Sequence, residues 1–137
     1  MNKHLGFDDF IESQEPKYRI LMNHIRKLAA SSHEQMREKS AFNTLFFHCF
    51  DYVFYFGRID KKQGLEIGFV KGFLLSNDHG LLETKNRKLI RGISFLDLED
   101  FMNKEEVFLE TLQEAILLNE IQPENTFQKM IFEKRKK

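Results

Sequence analysis

Between Ser40 and Val70 the chain reads SAFNTLFFHCFDYVFYFGRIDKKQGLEIGFV, a run crowded with Phe, Tyr, Val and Ile and broken only at Asp51 and at Asp60 to Gly64. Aromatic and β-branched residues suit a pleated, packed surface, and short polar interruptions are where strands turn back on one another. The run therefore predicts three antiparallel strands, Thr44 to Cys49, Tyr52 to Ile59 and Leu65 to Val70, with Lys61-Lys62-Gln63-Gly64 as the clearest hairpin turn. In the third strand Leu65, Ile67 and Phe69 alternate with Glu66 and Gly68, the period of a sheet covered on one side. The first two strands are apolar on both faces, which predicts cover on both sides, from helices on one and from a partner, ligand or tail on the other.

Helices flank this sheet. From Pro16 to Ala30 the apolar residues Tyr18, Leu21, Ile25 and Leu28 recur at three and four, and a proline suits the first helical turn. Ahead of it Phe7, Phe10 and Ile11 line one short turn, and Ser31 and Ser32 break the pattern after it. Ile90 to Phe95 predicts a fourth strand. Asn103 with Glu106 forms a capping-box pattern that would open a helix lined by Phe108, Leu112, Ala115 and Ile116. Pro123 then interrupts, and residues 121–137 form an extension in which Asn125 and Gln128 repeat the capping pattern and Phe127, Met130 and Ile131 make a narrow apolar stripe. Helices, strands and then a helix are an α+β order, not the alternation of a doubly wound sheet, and residues 1–120 make one domain. The extension is expected to dock on the aromatic residues Phe46, Phe50, Phe54 and Phe56, in its own chain or, by exchange, in a homodimer.

Charge narrows the function. The 21 Lys and Arg residues balance the 21 Asp and Glu residues, so no overall field draws the chain to nucleic acid or to an anionic membrane. Cys49, the single cysteine, has no internal disulfide partner, and the first residues lack the apolar core of a secretion signal, which places the protein in a reducing cytoplasm. A lone cysteine within an aromatic strand reads as a small buried hydrophobe, and no motif supplies it with a base. The five histidines are scattered without ligand spacing, and His48 and Cys49, adjacent on a strand, point to opposite faces, so neither a metal nor any other cofactor is expected.

The stretch GFVKGFLLSNDHGLLETKNRK, from Gly68 to Lys88, combines glycines with a basic run. Its spacing fits neither a dinucleotide-binding fingerprint nor a P-loop. Two readings stand: an anion site, in which glycines bring backbone N–H groups close and Lys71, Lys85, Arg87, Lys88 and Arg91 supply charge, or an ordinary turn made by Ser, Asn, Asp and Gly.

Phe69, Lys71, Gly72, Gly80 to Glu83, Arg87, Lys88 and Arg91, together with EKSAFNTLFF before them, resemble the YdhG-like family, a bacterial family of unassigned function some of whose members are described as frataxin-like iron chaperones. The resemblance covers Phe7 to Asn119. Where those relatives carry an aromatic-Gly-x-Pro turn, this chain has Phe42, Asn43, Thr44 and Leu45. The resemblance implies an α+β domain with a curved antiparallel sheet packed against N-terminal and C-terminal helices, a groove beside the sheet, and no established enzymatic activity. It sets Phe42, Phe69 and Gly72 along the groove and Lys71, Arg87, Lys88 and Arg91 on one surface, where they would recognise a small anionic ligand or a protein partner. An intracellular iron chaperone is the alternative.

Overall fold

The computed structural model describes residues 6–121. Its elements run α1 (Phe7–Glu12), α2 (Pro16–Ser32), β1 (Arg37–Ala41), β2 (Thr44–Cys49), β3 (Asp51–Asp60), β4 (Gly64–Phe69), a 3-10 turn (Gly72–Leu74), β5 (Arg91–Phe95) and α3 (Leu98–Ile121). The five strands form one antiparallel sheet in the order β1-β2-β3-β4-β5, so every strand pairs with its neighbour in sequence. This is the α+β arrangement of an antiparallel sheet with helices before and after it. The helix expected from Asn125, its apolar stripe and the tail-exchanged dimer fall on residues 122–137, outside the described residues. Among the described residues no helix is long and apolar enough to cross a membrane.

The hairpin turn at Lys61–Gly64 forms because Asp60 accepts hydrogen bonds from the backbone N–H groups of Lys62 (2.8 Å) and Gln63 (2.9 Å), and Gly64 takes a φ of +90°. A side chain there would also run into the backbone of Phe95 and Leu96. The helices cover one face of the sheet. Phe47 stacks on Phe54 with ring centroids 4.3 Å apart, Phe54 meets Phe108 of α3 edge-on at 5.7 Å, and Phe95 and Phe101 touch at 4.8 Å. Rings in such tilted or offset contact add to the burial of their large apolar area.

The second face, here the outer face, carries Ala41, Phe46, Tyr52, Tyr55 and Val70 as a smaller cluster. Of the four aromatics expected to receive the tail, Phe54 and Phe56 are buried in the main core and Phe50 packs against it, so Phe46 alone belongs to the outer cluster. Alternation explains the difference, since Phe46 pairs with Tyr55 on the outer face while Phe54 and Phe56 flank Tyr55 and point to the core. A β-bulge adds to it. Phe47 pairs with Phe54 and His48 with Tyr52, which leaves Val53 as an extra residue, and Val53 and Phe54 both join the core. A second irregularity lies between Phe56 and Ile59, where Gly57 and Arg58 oppose the single residue Glu66.

Three further readings are corrected. β1 was not expected, because Arg37-Glu38-Lys39-Ser40 is exposed and shows no apolar alternation; it is a charged edge strand. α2 continues through Ser31 and Ser32, whose hydroxyls donate to the carbonyls of Lys27 and Ala29 instead of ending the helix. α3 begins at Leu98 and not at Asn103. Asp97 accepts from the N–H of Asp100 at 2.8 Å while Asp100 accepts from the N–H of Leu96 at 2.9 Å, a reciprocal cap about a turn and a half earlier, with Asn103 and Glu106 inside the helix.

Candidate functional site

On the outer face, register lines up two rows of residues. Tyr55 pairs with Gly68 and Gly68 with Gly92; beside this row the Gly57–Arg58 bulge opposes Glu66, and Glu66 pairs with Ser94. The glycines are spaces filled by neighbours. The ring of Tyr55 lies where a Gly68 side chain would be, and the carboxylate of Glu66 where a Gly92 side chain would be. β4 is consequently buried along its whole length, Glu66 included, and not covered on one side only.

The loop between the 3-10 turn and β5 folds back over this face. Glu83 and Gly92 exchange backbone hydrogen bonds of 2.7 and 2.9 Å, which anchors the loop along the outer edge of β5. Lys85 and Asn86 follow at φ of +49° and +62°, and the reversal sends Arg87 back toward Glu66. Its two Nη atoms donate to the two carboxylate oxygens at 3.1 and 2.9 Å, a bidentate pair. Lys85 Nζ stands 3.4 Å from the same carboxylate and donates to Gln63 of the hairpin turn at 3.1 Å. The hydrogen bond with Glu66 holds the Arg87 guanidinium even more firmly charged than usual, while burial pushes the Tyr55 phenol up, so it keeps its proton.

The result is a cleft of about 380 Å³ whose lining includes Tyr55, Arg58, Glu66, Lys85, Arg87 and Ser94. Three cations, Arg58, Lys85 and Arg87, face two carboxylates, Glu66 and Asp60, and Asp60 already accepts from two backbone N–H groups that hold its pKa below the usual carboxylate value. Glu83, just outside the lining and 3.7 Å from Lys85, offsets the third positive charge. Arg58, on the bulge, is the exposed cation at the rim.

The residues expected to make an anion site are divided by the fold. Arg87 lines the cleft, and Lys88 is exposed on the adjoining loop. Arg91 lies over Gly72 and donates from Nη1 to the carbonyls of Arg87, Lys88 and Ile90, so it ties the loop together. Lys71 is not at the surface. It is 4% exposed and sits 3.2 Å from Asp51, itself 1% exposed; the contact lacks hydrogen-bond alignment and is an attraction of charges. The expected groove residues do not meet either. Phe69 is fully buried on the helix-covered face, Gly72 is buried beneath Arg91, and Phe42 forms, with Asn43, the turn between β1 and β2, where it is 61% exposed. Sequence reading passed over Tyr55, Arg58, Glu66 and Ser94 because cross-strand register assembles them, although Lys85 had been counted among the cations.

Comparison with family models, with curated proteins and with solved structures finds no match for this chain. The YdhG-like resemblance thus rests on its residues alone. Two chemical points bear on the site. Cys49, the only thiol, is buried, and burial pushes it up to about 11, well away from a reactive thiolate. Among the described residues no group of three His, Cys, Asp or Glu side chains is placed to hold a metal ion.

Proposed function

We propose that this protein is a non-catalytic binding domain that recognises a small anion in the outer-face cleft beside Tyr55. The observation that carries the reading is the convergence of three cations on that cleft, with Arg58 exposed at its rim and Arg87 and Lys85 held in place by one carboxylate. An anion entering there meets cations that are already positioned, so little ordering accompanies binding.

Titration of the full chain with acetate and inorganic phosphate, followed by amide chemical shifts, tests the reading. Shifts should concentrate on Gly57, Arg58, Glu66, Arg87 and Ser94, with affinity on the order of millimolar for anions this small. Arg58→Ala combined with Lys85→Gln should abolish them. Shifts that map elsewhere, or that persist in the double variant, would refute the assignment.

A further inference from the structure

Ser94 belongs to two clefts at once. On one side is the cationic cleft just described; on the other is a second, of about 300 Å³, lined by Leu81, Ile93 and Leu96 among others. The hydrogen bond from Lys85 to Gln63 joins a residue lining the first cleft to one lining the second.

Apart from Lys62, exposed on the hairpin turn, the charges of the second cleft are engaged internally. Lys104 is 3.2 Å from Asp100 and donates to the Ser94 carbonyl, and Glu83 lies 3.7 Å from Lys85. What the cleft offers a ligand besides Lys62 is its apolar lining, with Leu81 and Leu96 exposed at 38% and 42%. At the junction the Oγ of Ser94 is buried and makes no hydrogen bond among the described residues, although a buried hydroxyl without a partner is disfavoured.

We infer that the ligand is an amphipathic anion, a carboxylate or phosphate ester with a short apolar chain. Resting on the anion reading above, this adds where the rest of the molecule goes. The charged head lies with Arg58 and Arg87, its oxygen nearest the chain accepts from Ser94 Oγ, and the chain covers Leu81 and Leu96. A compact inorganic anion would occupy the first cleft and leave both leucines bare.

Calorimetric titration of the full chain with acetate, butanoate and hexanoate, all below micelle-forming concentrations, tests this. Affinity should rise about fivefold or more from acetate to hexanoate, as expected when several methylenes leave water for a half-open apolar surface. Leu81→Ser with Leu96→Ser should erase that gain and leave acetate binding unchanged; both positions are over a third exposed, and thermal melting verifies that the variant is folded. Ser94→Ala should weaken all three ligands. If acetate and hexanoate bind equally, or the gain survives in the leucine variant, the amphipathic assignment is wrong while the anion site stands. If no anion binds the wild type, both readings fall together.

Discussion

Lys71 shows how one residue changes meaning between a sequence and a fold. It follows an apolar strand and precedes a glycine, a position that suggests a cation presented from a turn, yet its charge is spent on Asp51 twenty residues earlier. Two charges out of water gain from each other only while both remain. Lys71→Ala, by stripping the cation from a carboxylate that is 1% exposed, should cost about 3–5 kcal/mol in chemical denaturation. Lys71→Met joined to Asp51→Asn should recover most of it, because the amide oxygen can still accept from the Tyr52 N–H that now bonds Asp51 at 2.8 Å. A single variant costing under about 1 kcal/mol would mean that the pair is solvated and not interior.

Elements differed in how far their sequences announced them. The helix at Pro16 and the hairpin at Asp60–Gly64 were legible because each carries its own signal, a period of three and four in one and a turn residue accepting two N–H groups in the other. β1 was not, since an exposed edge strand lacks the apolar alternation by which strands are recognised. The start of α3 was misplaced because two capping patterns stand a turn and a half apart, and burial of Phe101 decides between them: the residue is fully buried and must lie within the helix. Asp97→Ala should therefore destabilise the protein by about 1 kcal/mol, whereas Asn103→Ala should be near neutral, both measured by urea unfolding. The reverse ranking would restore the later start. The cleft was the least legible part. Its lining is set by the bulge at Gly57–Arg58 and by the return of the loop at Glu83, and both are matters of pairing that no single segment contains.

For the whole molecule, a neutral chain turns out to distribute its charge unevenly, gathering three cations around one cleft in a way the balanced totals conceal. The sheet that carries this site is assembled only from sequence neighbours, whereas α3 returns from the far end of the described chain to close it. Asn119 marks that closure. Buried in the last turn of α3 but for 1% of its surface, it directs its Nδ2 group at the carbonyls of Cys49, Asp51 and Tyr52, 3.0 to 3.2 Å away, around the reversal between β2 and β3. Contacts between neighbouring hairpins need little loop closure and can form early, while one that spans about seventy residues is among the last to be made. In a stopped-flow chevron, Asn119→Leu should accordingly steepen the rate of unfolding by about tenfold and leave the refolding limb where it is, because the bond is missing from the transition state. Slower refolding would instead put the helix terminus in the folding nucleus. The side chain that fastens this helix to the sheet is in that sense a latch on the native state, governing how long a molecule stays folded and not how quickly it gets there.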